Sequence, residues 1–361
     1  MSLNLDDTHH PLHRRWPALR QRLMVRPLLA GPTPVEPLEH QGSKLWVKHD
    51  NHTSPLYGGN KVRKLEYILG RAMQLDTQAV WTMGGLGSHH ALATAIYAEQ
   101  LGLDVHVLHF EQPWNDHVRD NLLAISGTQA HLHLLEHHRN TLPLAAAALH
   151  ARLMARYGAR LLPIVAGGSD PWGSLGFVNA GLELAQQVRS GQLPEPARIY
   201  VPVGSCGTFA GLWLGCRLAG LGSKVIGVQV SDTVVANVAT AAVLIHRTSR
   251  LLTRLCPQIP TLTPRPWHLH IERGHFGPAY GAPTRAGAQA SQTFEPMGVK
   301  LDPTYTAKTA ACLLERLQNS PSNGPLLLWN TFSNADLTPW MSQGSVDRLP
   351  GAYHPYFKDQ D

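Results

Sequence analysis

Four cysteines in 361 residues, set far apart at Cys206, Cys216, Cys256 and Cys312, form no Cys-x-x-Cys pair. That spacing excludes a zinc ribbon and a disulfide-stapled scaffold. No His-Glu-x-x-His motif occurs. The 21 histidines are scattered, as in His89-His90, His131, His133, His137-His138, His268 and His270, so no metal site is read from them. No run of about 18 apolar residues is present, which excludes a helical membrane span. The first residues, with Asp6, Asp7 and scattered His and Arg, lack the apolar core of a secretory signal, so a cytoplasmic protein is expected. Both the Gly-x-x-x-x-Gly-Lys-Ser/Thr loop and a proper Gly-x-Gly-x-x-Gly turn are missing, and with them the nucleotide fingerprints. The net charge is +6 and the pI about 9.2. The basic residues form no long run interleaved with aromatics, so no nucleic-acid partner is expected; the charge fits an enzyme that handles anionic ligands.

What is present describes a globular protein, with 43% hydrophobic and 16% charged residues. Its length is enough for a large core and for more than one domain. After a Pro-rich stretch (27–38), strand-like segments recur at 79–83, 105–110, 130–135, 161–165, 198–203, 225–230, 268–271 and 326–329. Helical periods at 88–101, 141–156, 173–189, 208–220 and 306–318 lie between many of them. Such alternation predicts an α/β protein with largely parallel sheets. A Pro- and Arg-rich stretch near 257–266 reads as a surface connection, and the last 20 residues read as a tail.

The segment Tyr57-Gly58-Gly59-Asn60-Lys61-Val62-Arg63-Lys64-Leu65-Glu66 places a lysine at the start of an amphipathic helix. Val62, Leu65, Ile68, Leu69, Ala72 and Met73 recur at helical spacing as one buried stripe. Asn60 is suited to cap the first turn. Lys61 then stands beside the positive end of the helix dipole, which disfavours its charged form, and a lysine of lowered pKa is what Schiff-base chemistry needs. Arg63 and Lys64 read as solvated residues of a basic helix start. Two glycine-rich turns follow strands and open helices: Thr82-Met83-Gly84-Gly85-Leu86-Gly87-Ser88-His89-His90 and Val203-Gly204-Ser205-Cys206-Gly207-Thr208. Both offer free backbone N–H groups and a helix N-terminus to a phosphate or carboxylate. A third turn, Gly167-Gly168-Ser169-Asp170-Pro171-Trp172-Gly173, reads as a domain junction or a cofactor-lining loop.

With Tyr280-Gly281-Ala282-Pro283 and Leu301-Asp302-Pro303-Thr304-Tyr305-Thr306-Ala307-Lys308, these motifs run in the order of a known family. The chain resembles, over residues 45–330, the pyridoxal-phosphate enzymes that include 1-aminocyclopropane-1-carboxylate deaminase and D-cysteine desulfhydrase. The resemblance implies the tryptophan-synthase β-like fold, fold type II. A large domain (1–64 and 173–361) would hold an inserted small domain (65–172), with pyridoxal 5′-phosphate in the cleft between them and a homodimer as the assembly. It implies that Lys61 carries the cofactor as a Schiff base and moves the substrate's α-proton. Asn60, Gly204, Ser205, Cys206, Gly207 and Thr208 would bind the cofactor, the 204–208 turn through its phosphate. Ser88 would meet the carboxylate of a small amino-acid substrate and His89 would lie beside the pyridine ring, while Tyr280 and Tyr305 would face the substrate.

Thr306 would face the pyridine nitrogen. Ring-opening members have glutamate there and desulfhydrase-like members threonine, so this chain is expected to be a lyase of the D-cysteine desulfhydrase type. The alternatives are cyclopropane ring opening, a β-replacement synthase, and a pyridoxal-phosphate-binding protein that has lost turnover. Three positions depart from the family pattern: Gly87, His89 and Cys206. Gly87-Ser88-His89-His90 stands where Gln-Ser-Asn-His is usual, and Cys206 replaces a glycine, where its β-carbon is expected to crowd the turn.

Overall fold

The computed structural model describes residues 10–40, 42–135, 141–319 and 324–358. Asp6, Asp7 and the His137-His138 pair noted above lie outside the described residues. The first elements are α1 (Pro11–Arg15), β1 (Val35–His40), β2 (Ser43–His49), α2 (Asn60–Gln74) and β3 (Ala79–Gly85). Next come α3 (His89–Glu99), β4 (Asp104–Phe110), α4 (Asp116–Ser126), β5 (His131–Leu135), α5 (Leu142–Tyr157) and β6 (Leu161–Pro163). They are followed by α6 (Pro171–Arg189), β7 (Arg198–Val203), α7 (Gly207–Ala219), β8 (Lys224–Gln229), α8 (Val238–Leu255) and β9 (His270–Glu272). The chain ends with α9 (Arg285–Phe294), α10 (Thr306–Asn319), β10 (Leu326–Asn330), α11 (Thr338–Met341) and α12 (Pro355–Lys358).

Two compact units result: Met1–Tyr67 with Ser169–Asn334, and Ile68–Gly168 with Ala335–Asp361. The larger unit holds a six-stranded sheet in the order β1-β2-β10-β7-β8-β9. Only the β1–β2 hairpin pairs antiparallel; the other ladders are parallel. Successive side chains of a strand face opposite ways, and here both faces are covered. Ile199, Val201, Val203, Leu327 and Trp329 enter a core with α6, α7 and α8. Tyr200, Leu326, Leu328, Ile226 and Val228 enter a second core with α9 and α10. α6 and α7 cross closely because Gly211 and Gly215 carry no side chain: a Cβ at either would collide with the backbone of Ser174 or Val178.

The hairpin lies outside the expected strands. β1 is a partly exposed edge strand, half of its residues polar, with Pro37 near its centre, and an edge strand is where a proline is tolerated. α4, α8 and α9 were likewise not expected from the helical periods.

The smaller unit holds a four-stranded, all-parallel sheet in the order β5-β4-β3-β6. Trp81, Leu108, Leu149, Leu153 and Leu161 form a core between this sheet and α5, and α3 packs on β3 and β4. The chain passes back to the larger unit between Gly168 and Ser169, within the third glycine turn. The C-terminal segment corrects the expected division, because it belongs to this smaller unit and is no loose tail. Tyr353 is fully buried, its hydroxyl lies 2.9 Å from His109 Nδ1, and Tyr356 donates to Glu111 at 2.6 Å. No described helix is long and apolar enough to cross a membrane.

Candidate active site

α2 follows the Gly58-Gly59 turn, where Gly59 takes φ +87° and a Cβ would press on the carbonyls of Thr331 and Phe332. Its apolar stripe is buried at Val62, Leu65, Ile68, Leu69 and Ala72, but Met73 is 39% exposed. Arg63 and Lys64 are buried too, contrary to the expectation of a solvated basic face. Arg63 makes ion pairs of 2.8 Å with both Asp50 and Glu183. Lys48 donates to Glu183 at 2.5 Å, and the Trp329 indole donates to Asp50 at 2.7 Å. Burial alone would raise the pKa of Glu183, but Arg63 and Lys48 hold it down at about 2. This neutral network of two cations and two anions fastens the first turns of α2 to the sheet and to α6.

Lys61 keeps part of its surface accessible, yet burial of its amine lowers the pKa to about 8, with Asp302 opposing. Burial is therefore the main cause, in place of the helix dipole invoked from the sequence. The ammonium lies 6.0 Å from the Tyr305 ring centroid. Asn60 is the first helical residue; its side-chain amide donates to Thr208 Oγ1 at 3.1 Å and does not cap its own helix.

The turn between β7 and α7 lies within reach of α2. Lys64 Nζ donates to Ser169 Oγ at 3.0 Å, and the Gly207 N–H donates to the same oxygen at 3.2 Å. Ser169 Oγ and Ser205 Oγ are hydrogen-bonded to each other at 2.7 Å. Thr208 Oγ1, an acceptor from Asn60, keeps its own proton to give to an anion, and Ser205 adds a second hydroxyl on the same turn. A Cβ at Gly207 would lie 2.5 Å from Ser169 Oγ and 2.9 Å from Lys64 Nζ, so only glycine leaves this cradle open. Burial and the nearby Lys61 lower the pKa of Lys64 well below the ordinary value, and an anion at the α7 N-terminus would favour its charge. Cys206 adopts the left-handed region (φ 65°), where a glycine would be unstrained, and directs its thiol to the Val235 carbonyl, 3.3 Å away. The cost is backbone strain of about 1 kcal/mol.

Tyr305 adjoins this turn, since a Cβ at Gly204 would sit 3.9 Å from its ring. Its hydroxyl is hydrogen-bonded to that of Tyr280. Burial, then Tyr280, raises the pKa of Tyr305 well above the usual phenol value. Asp302 caps α10: its carboxylate accepts from the N–H groups of Thr304, Tyr305 and Thr306 at 3.0, 2.6 and 3.1 Å. Thr306 Oγ1 donates to the same carboxylate and accepts from the Asp302 N–H, both at 2.7 Å.

The larger unit thus gathers Asn60, Lys61, Gly204, Ser205, Cys206, Gly207, Thr208, Tyr280, Tyr305 and Thr306. Ser88 and His89 belong to the smaller unit, where Ser88 caps α3 by accepting from the Ala91 N–H and His89 lies 4.4 Å from His117, ring to ring. Sequence reading gave no role to Lys64 or Asp302, and took Ser169 only as part of a turn read as a domain junction or a cofactor-lining loop. A signal existed for Lys64, because three residues after Lys61 is the same helix face.

A buried amine beside a cationic, N–H-rich helix start is what an aldehyde cofactor with a phosphate arm requires, and the residues present fit such a group. The sequence profile of the pyridoxal-phosphate dependent enzymes matches residues 27–331, and the chain belongs to that family. Its cofactor is pyridoxal 5′-phosphate and its fold is fold type II. Among relatives, the nocardicin C-9′ epimerase of Nocardia uniformis subsp. tsuyamanensis is 34% identical over 323 residues, 86% of this chain and 93% of that one. The D-cysteine desulfhydrase of Salmonella paratyphi A is 31% identical over 335 residues, 89% and 96% of the two chains. The crystal structure of an ACC deaminase homologue is similar with a TM-score of 0.76 at 25% identity, covering 90% of this chain and 98% of that one.

Proposed function

We propose that this enzyme is a lyase that eliminates a β-leaving group from a small amino acid, with D-cysteine as the first candidate. The balanced reaction converts D-cysteine and water to pyruvate, ammonia and hydrogen sulfide. The observation that carries this reading is the buried Lys61 amine, set beside the Tyr305 ring and next to the Lys64–Ser169–Gly207 cradle. When bound, the cofactor supplies the electron sink that makes the α-proton acidic. Lys61 is the residue that would hold the cofactor and move that proton. Asn60, Lys64, Ser205, Gly207 and Thr208, on a turn shaped by Gly204 and Cys206, would hold the phosphate. Tyr280 and Tyr305 would donate to the substrate, Ser88 would bind its carboxylate, and His89 would flank the pyridine ring.

Thr306 is assigned to the ring nitrogen. A neutral hydroxyl there in place of a carboxylate favours loss of a good leaving group over cyclopropane ring opening. A homodimer, on the family resemblance, and a cytoplasmic location complete the reading. A second reading, inversion at the α-carbon, is favoured by the 34% identity to an epimerase, because it begins with the same proton removal by Lys61.

The test is the visible spectrum of the purified protein before and after D-cysteine, with sulfide measured in the same sample. A shifted band with sulfide release supports elimination. A shifted band without sulfide, but with deuterium entering at the α-carbon in heavy water and loss of optical purity, replaces elimination with inversion. No shift with D-cysteine or related amino acids overturns both.

A further inference from the structure

The loop between β9 and α9 carries Tyr280, and its position depends on one face of α10. Tyr305 immediately precedes α10, and Lys308 and Glu315 stand seven residues apart within it, a spacing that aligns those two along one side of the helix. Each holds a different point of the loop. Glu315 pairs with His275 at 3.0 Å, at the surface. Lys308 Nζ donates to the Phe276 carbonyl at 2.6 Å, and Tyr305 bonds the Tyr280 hydroxyl. The central anchor has no exposed surface at all. Two glycines of positive φ, Gly277 and Gly281, flank the Tyr280 segment, so the backbone there is not fixed by its own preferences. A buried ammonium on a backbone carbonyl is a strong hydrogen bond and costly to leave unmade.

We infer that Lys308 is a positioning residue that sets the Tyr280 loop so that the Tyr280 hydroxyl meets Tyr305 beside Lys61. The inference rests on the proposed role of Tyr280 toward the substrate. Lys308 itself touches neither substrate nor cofactor in this scheme; it acts through Phe276 and the four residues that follow.

Four proteins test this: Lys308→Met, Lys308→Arg, Tyr280→Phe and the Lys308→Met/Tyr280→Phe double variant, each loaded with pyridoxal 5′-phosphate. With D-cysteine, Lys308→Met should lose about 10- to 100-fold in kcat with KM nearly unchanged, as expected when an acid–base group is misplaced by about an ångström. The double variant should be no slower than Tyr280→Phe, and Lys308→Arg should recover most of the loss. A second arm needs no turnover. In the cofactor-free protein, alkaline titration of tyrosine absorbance should show a high-pH ionisation in the wild type that moves down in Lys308→Met, as Tyr305 loses its partner.

Multiplying losses in the double variant, or an unchanged kcat and tyrosine titration in Lys308→Met, would overturn the inference. If the wild type does not act on D-cysteine, the functional reading falls while the titration still decides the role of Lys308. Should Lys308→Met fail to fold, Lys308→Gln, which keeps a donor on a shorter stem, carries the same comparisons.

Discussion

The pKa of Lys61 has a consequence that can be measured without knowing the substrate. Burial brings this amine to about 8 from an ordinary 10.5. The difference corresponds to about 3 kcal/mol favouring the neutral form. At pH 7.5 roughly a quarter of the Lys61 side chains would be neutral, against about 0.1% for an ordinary lysine, a gain of about 200-fold in reactive amine. The folded state binds fewer protons than the unfolded chain between the two values, so stability rises with pH across that window. Rapid mixing of cofactor-free protein with pyridoxal 5′-phosphate, followed by visible absorbance, reads the reactive fraction directly. The rate should climb with pH to a midpoint near 8. In Asp302→Asn that midpoint should fall, because Asp302 is the charge that opposes the burial effect. Asparagine keeps the side-chain carbonyl used by the Thr304 and Tyr305 N–H groups, while the Thr306 N–H and hydroxyl lose the oxygen they share. A wild-type midpoint near 10, or one that Asp302→Asn leaves in place, would refute the argument that burial and Asp302 set this amine.

Three further outcomes are expected. Gly207→Ala fills the cradle between Ser169 and Lys64 and should weaken pyridoxal 5′-phosphate binding at least tenfold, about 1.4 kcal/mol, in a fluorescence titration; unchanged affinity would mean the phosphate lies elsewhere. Arg63→Met leaves Asp50 and Glu183 buried without their guanidinium, so urea unfolding should show a loss of about 3 to 5 kcal/mol, and a loss below 1 kcal/mol would deny the network its role. His109, buried and hydrogen-bonded to Tyr353, has its pKa pushed down to about 3 by burial and then by His133. The unfolded chain takes up that proton first as pH falls from 6.5, costing the fold on the order of 4 kcal/mol by pH 3. His109→Gln should flatten the acid side of the melting curve, and parallel curves would exclude His109 as the cause.

The parallel sheets were legible because most of their strands are short segments rich in apolar and β-branched residues that alternate with helical periods, and the cofactor motifs because each is local: a turn, then a helix start. What sequence could not convey lies in pairings over long separations. Arg63 reads as solvated until Asp50 and Glu183 are seen, the second 120 residues away. Lys64 finds Ser169 at a separation of 105 residues, and Tyr353 turns a tail into core by meeting His109 at 244. β1 escaped notice for the opposite reason: an edge strand exposes its residues and so carries no apolar rhythm, while its partner β2 is an interior strand whose buried Leu45 and Val47 are followed by Lys48 and His49.

On α2 these two kinds of information meet. The helical period assigns a buried stripe correctly from Val62 to Ala72 but treats the charged residues between as solvent-facing. A helix whose start is surrounded by protein has no such face. Its charges must then be matched by distant partners, as Arg63 is, or left with lowered pKa values, as Lys61 and Lys64 are. The same burial that hides these residues from a sequence reading keeps one amine reactive and leaves the other to favour an anion at the α7 N-terminus.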